Sequence, residues 1–117
     1  MATYAHLGLS GSTNGCGIKI SATSSPGTTV HTAVSGTTNW DDVWLFATNE
    51  GTAPVAFSVE FGGTTSPDNT ISGTLPAKCG LVPIVMGIPL QNGLVIKAFA
   101  GVTNVVVIYG YVNRITA

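Results

Sequence analysis

Val55, Phe57, Val59 and Phe61 alternate with Ala56, Ser58 and Glu60, and a two-residue period of this kind describes a strand with one buried and one solvated face. Upstream, Asp42 to Asn49 sets Val43, Leu45 and Ala47 against Trp44, Phe46 and Thr48. Bulky residues on both sides predict a strand covered on both faces, with Trp44 in the core. Asn49 to Ala53 is expected to join the two as a short hairpin loop, where Gly51 is free to adopt a positive φ.

The same logic extends along the chain. Ile18 to Ala22 and Thr28 to Val34 read as strands separated by Thr23-Ser24-Ser25-Pro26-Gly27, in which Pro-Gly is a turn signal. Asn69 to Leu75 is a short strand. Leu81 to Ile88 carries Pro83, which removes a ladder donor and predicts an edge or a bulge. Asn92-Gly93 turns the chain into Leu94 to Ala100, and Val105 to Ile115 forms the last strand. Gly93 to Val112 is long and apolar enough to suggest a membrane helix. Its β-branched alternation and the break at Gly101-Val102-Thr103-Asn104 favour two strands instead. The tally is about eight strands with turn signals every 8–12 residues and no helical period, the pattern of an all-β sandwich. A jelly roll is the expected topology, since it accommodates eight strands and the longer connections.

Residues 18–117 make up that single sandwich domain, and residues 1–17 stand apart. Gly8, Gly11, Gly15 and Gly17, with Ser10, Ser12, Thr13 and Asn14, give the segment a flexible composition, while Tyr4, His6, Leu7 and Leu9 make it adhesive. Two readings stay open: a frayed terminus, or an arm that orders when it lies across a neighbouring subunit.

Composition changes the picture by what it lacks. Of 117 residues, four are Lys or Arg and five Asp or Glu, for a net charge of −1, while 44% are hydrophobic. Disorder requires the opposite balance. Four scattered cations build no basic patch, so nucleic acid is not an expected partner. The start of the chain shows no basic segment followed by an apolar run, which speaks against a secretory signal.

Candidate chemistry is sparse. His31, between Val30 and Thr32, is expected to be exposed and to lack a carboxylate partner; His6 lies in the arm. Asp41-Asp42 fits strand entry better than calcium binding, because no loop has ligand spacing. Cys16 and Cys79 form no C-x-x-C pair. A hydrolase would need His31 beside Cys79 or Asp42 in a cleft. The chain therefore reads as non-enzymatic, with no catalytic residue, no metal and no cofactor. Trp40, in Thr37-Thr38-Asn39-Trp40-Asp41-Asp42, is either an exposed contact or a lid over the sandwich end.

The missing charge implies company. Sheet edges of solitary proteins are blunted by Lys, Pro or bulges, and here only Lys19, Lys78, Lys97, Arg114 and prolines 54, 76, 83 and 89 are available. Faces of Thr, Ser, Ala and Gly suit contact with other protein surfaces. The expectation is a homo-oligomer, a dimer or trimer, that also binds a larger partner.

Val43-Trp44-Leu45-Phe46-Ala47-Thr48-Asn49 with Gly51-Thr52-Ala53-Pro54-Val55 resembles the central hairpin of small virion proteins of tailed bacteriophages. Leu75-Pro76-Ala77, Gly80-Leu81, Gly87-Ile88-Pro89-Leu90 and Asn92-Gly93 are similar to their later strands. Tyr109-Gly110-Tyr111-Val112-Asn113-Arg114-Ile115 is similar to their ending. Over residues 40–115 the chain thus resembles the head decoration, or cement, proteins of that group. The resemblance implies a jelly-roll-like fold and a structural role on the outer capsid surface of the virion, after synthesis in the host cytoplasm. It implies clamping of adjacent capsomers formed by the major capsid protein, and no catalytic residue. Tyr4, His6, Leu7, Leu9 and Trp40 are the expected partner contacts, with the arm as the segment that meets the shell. The alternatives are a tail- or fibre-associated virion protein and a surface-displayed carbohydrate-binding module with Trp40 as its platform beside Asn39 and Asp41.

Overall fold

The computed structural model describes residues 2–117, which form nine strands and no helix. They are β1 (Thr3–Gly8), β2 (Ile18–Lys19), β3 (Thr28–Thr32), β4 (Trp40–Asn49), β5 (Val55–Phe61), β6 (Thr70–Leu75), β7 (Val82–Leu90), β8 (Val95–Ala100) and β9 (Val106–Thr116). Sheet A has the order β1-β9-β4-β7, with β2 also paired to β9; sheet B has the order β3-β8-β5-β6. Both are antiparallel throughout. From β2 onward every connection changes sheet except β5 to β6. That alternation is the jelly roll expected from the strand count.

The buried residues between the sheets are almost wholly aliphatic: Ile20, Val30, Val43, Leu45, Val59, Leu75, Val85, Ile96, Ile108 and Val112 among them, with Phe57 the one aromatic. Strand β5 has the bounds that its alternation predicts, and Pro83 lies on an edge strand whose pairing with β4 shifts register twice. The apolar run 93–112 contains β8 and the first seven residues of β9.

Four expectations need correction. Asn49 to Ala53 is not a hairpin loop, because β4 lies in sheet A and β5 in sheet B. The buried Asn49 side chain holds the crossover: its Nδ2 donates to Ala53 O (2.9 Å) and Leu75 O (3.1 Å), and its Oδ1 accepts from Gly51 N (2.9 Å). A local turn signal does not distinguish a hairpin from a step between layers.

The amino-terminal segment is not detached either. Thr3–Gly8 pairs residue by residue with β9, from Thr3↔Thr116 to Gly8↔Tyr111. The chain then leaves the edge at Leu9 and rejoins it where Ile18 pairs with Ile108. Met1 lies outside the described residues. In the excursion, Gly11 N–H donates to Val30 O at 2.9 Å, which ties residues 9–11 to sheet B. A run rich in Gly and Ser reads as flexible, yet its backbone donors find carbonyls on two strands.

Glu60, expected on a solvated face, is 1% exposed. Its carboxylate accepts from Ser25 Oγ at 2.5 Å and Gly27 N at 2.7 Å, so the 23–27 loop folds back over this part of sheet B. His31 is buried as well. The pairing of β3 with β8 shifts register between Thr29 and His31, and at such a bulge two successive side chains, here Val30 and His31, turn inward together.

Candidate functional site

Two arrangements of side chains stand out, one inside the sandwich and one outside it. Inside, Asp41 on β4 is fully buried and lies opposite Arg114 of β9. Arg114 Nε reaches Asp41 Oδ1 at 2.7 Å and Nη2 reaches Oδ2 at 2.9 Å, a two-pronged pairing that guanidinium geometry favours. Asp41 Oδ2 also accepts from Val34 N (3.1 Å) and meets His31 Nε2 (2.8 Å). Ser10 N–H donates to His31 Nδ1 at 3.0 Å. That bond leaves the imidazole proton on Nε2, facing Asp41. Burial opposes ionisation of Asp41, but the hydrogen bonds and positive charge supplied by Arg114, with the His31 contact, outweigh it and hold the carboxyl below its ordinary 3.8. The bonds to Asp41 raise Arg114 in turn.

This cluster joins sheet B, through His31, to sheet A, through Asp41 and Arg114. A Ser, a His and an Asp lie in sequence here, but Ser10 offers its backbone N–H to the imidazole, and its Oγ accepts from Thr32 N at 2.7 Å. Among the described residues no hydroxyl or thiol bonds to the ring, and the contacts made by His31, Asp41 and Arg114 tie the two layers together. His31 was expected to be exposed and without a carboxylate; the bulge in β3 turns it inward onto Asp41. Among the described residues, no three His, Cys, Asp or Glu side chains cluster with metal-ligand proximity. Cys16 and Cys79 are free thiols. An apolar pocket of about 280 Å³ lies between the β4–β5 and β8–β9 loops, lined by Gly51, Thr52, Ala53, Pro54, Val55, Val102 and Val105. None of those residues titrates.

Outside, the outer face of sheet A carries a second arrangement. Because Val43, Leu45 and Ala47 point into the core, the alternate residues of β4 point outward, and the register sets their neighbours. Tyr4 and Trp40 flank Ile115, His6 and Asp42 flank Asn113, and Trp44 lies opposite Tyr111. Phe46 then lies opposite Tyr109. On the far side of β4, Met86 is opposite Trp44. The Trp44 and Tyr111 rings are near-parallel, 9° apart with centroids at 5.9 Å, and His6 tilts against Tyr111 at 4.6 Å. Gly8 opposes Tyr111 with no side chain of its own. Gly87 does the same for Trp44: at φ +75° it forms part of a bulge, and a Cβ there would come within 3.0 Å of the indole.

Six of the nine Phe, Trp and Tyr residues therefore share one outward face. Asp42 and Lys19 are the formally charged residues among them. Tyr4 is 72% and Trp40 41% exposed. The Trp44 Nε1 donor is enclosed without a partner among the described residues, an arrangement that gains nothing for the fold.

Of the expected partner contacts, the structure brings Tyr4, His6 and Trp40 onto this face. It does not bring Leu7 or Leu9 there: Leu7 packs against the core, and Leu9, 2% exposed, belongs to it. Trp44 was expected inside, and it lies on the outer face. The missed signal was present in both long strands, where one set of alternate positions is aliphatic (Val43, Leu45, Ala47; Val106, Ile108, Val112) and the other aromatic.

Fold and face together define a jelly-roll β-sandwich that keeps a largely aliphatic interior and sets six of its nine aromatic residues on the outside of one sheet. No family model matches the chain, and neither a curated protein nor a solved structure matches it.

Proposed function

We propose that the protein is a non-enzymatic structural component of a tailed-phage virion, a decoration or cement protein that binds the outer surface of the head shell in many copies. The observation that carries this reading is the segregation of aromatic side chains onto the outer face of sheet A. Tyr and Trp are the residues that concentrate at protein contacts, where they bury large areas at small entropic cost. Support also comes from the scarcity of charge and from the resemblance of residues 40–115 to phage head decoration proteins.

Magnitudes fit a multivalent binder. Four strands at about 4.8 Å spacing, over the ten-residue length of β4, present roughly 500 Å² of sheet. That is below the ~800 Å² per partner of an ordinary stable interface. One such contact with the major capsid protein holds weakly, and several in one oligomer hold firmly because each later contact is intramolecular.

The test is to add purified protein to heads of the parent phage stripped of decoration. Saturable co-sedimentation, weakened about tenfold or more by Trp40→Ser combined with Tyr109→Ser, is the expected result. Absence of binding at large excess overturns the reading. A glycan-binding module is the second reading, favoured by His6, Asp42 and Asn113 lying between the rings. Its original form, with Asn39 and Asp41 beside Trp40, loses Asp41, which is buried, while Asn39 Oδ1 accepts from Ala117 N and the Asn39 backbone carbonyl accepts from Gln91 Nε2. Binding on a glycan array that is lost in Trp40→Ser would favour that second reading.

A further inference from the structure

The sheet edges are unequally protected. On β7, Pro83, Pro89 and two register shifts interrupt the ladder, and such features blunt an edge. The β3 edge is covered by residues 10 and 11, through Gly11 N–H to Val30 O and Thr32 N–H to Ser10 Oγ. Strand β6 has neither device. Thr70–Leu75 contains no proline and no charge, and its middle is exposed. From Ile71 to Thr74 the only backbone pairing among the described residues is with β5.

The side chains tell the same story. Ile71 lies opposite Val59, which is wholly buried, yet Ile71 is 36% exposed; an inward-directed position at this flank lacks its cover. Gly73, where a Cβ would come within 3.1 Å of the Phe57 ring, leaves the centre of the strand without a side chain. A neutral edge with one side unpaired is a template for another strand.

We propose that β6 pairs antiparallel with β6 of a second copy about a two-fold axis, so that the two B sheets become one continuous sheet and Ile71 is covered. An antiparallel strand pair is self-complementary under two-fold symmetry. An edge without charge selects for main-chain pairing with an equally neutral strand, which this strand itself is. The proposal rests on the reading of the chain as one that works in several copies; it does not depend on the shell. β1 is the other uncharged edge, but it is interrupted at Leu9, where the chain departs toward β3.

Sedimentation and light scattering across a wide concentration range, with amide hydrogen exchange at both extremes, test it. The expected result is a concentration-dependent dimer in which those amides of 71–74 that point away from β5 become protected. Ile71→Lys and Thr74→Lys each place a charge in the paired edge of both copies at once, and dimerisation weakens by about tenfold or more, with unchanged circular dichroism. Thr74 is exposed, so its variant carries the test if Ile71→Lys misfolds. A wild-type monomer at every concentration, a dimer undiminished by Thr74→Lys, or protection that falls on Thr3–Gly8 instead overturns the proposal. A wild-type dimer that ignores stripped heads leaves the edge pairing intact and removes the decoration role.

Discussion

Asp41 accepts four hydrogen bonds from three residues, His31, Val34 and Arg114, and removing it strands two basic partners between the sheets. Asp41→Ala is expected to cost about 3 kcal/mol, the lower end for a broken buried pair because Arg114 reaches solvent. The carboxyl is depressed in the folded chain. Its contribution is therefore complete above the ordinary carboxylate value and is lost as pH falls through the lower folded-state value. Chemical denaturation of the wild type and Asp41→Asn checks this: the gap in stability should be widest near neutral pH and should narrow below about pH 4. A gap independent of pH contradicts the assignment. None of this was legible from the chain, since Asp41 is adjacent to Asp42 in sequence and His31 obeys strand alternation only if no bulge intervenes. Glu60 escaped for a related reason: its alternation is correct, but its face is roofed by a loop whose path depends on Ser25 and Gly27 donors.

The positions of β2 to β9, by contrast, were legible because each apolar run has its own two-residue period and its own flanking Gly, Pro or Asn. What the period does not encode is which layer a strand joins. The crossover at Asn49 depends on a side chain reaching Leu75 O, 26 residues away in sequence, and the β1 pairing depends on the far end of the chain. At this scale Gly87 is the informative element: its bulge in β7 gives Trp44 room on the outer face. Gly87→Ala combines a positive φ with contact at 3.0 Å and should destabilise the fold by about 1–2 kcal/mol. Indole fluorescence should shift as Trp44 is displaced. An unchanged spectrum and melting temperature would show that the bulge does not position the ring.

For the whole molecule, the separation of an aliphatic core from an aromatic outer face unites the observations. The accessible surface, 5961 Å², matches the roughly 6,000 Å² expected of a monomer of this mass, so the fold closes without borrowing a partner's residues. The aromatic face is therefore surplus to folding, and shortage of charge does not by itself explain why Tyr4, Trp40, Trp44, Phe46, Tyr109 and Tyr111 converge there.

Radical footprinting of the protein free and bound to stripped phage heads tests that idea most directly. Side chains on the outer face of sheet A, above all Tyr4, Trp40 and Tyr109, should lose reactivity on binding, while Lys97 and Phe99 on sheet B keep theirs. Heads that bind the protein yet leave those three rings as reactive as in solution would contradict the account.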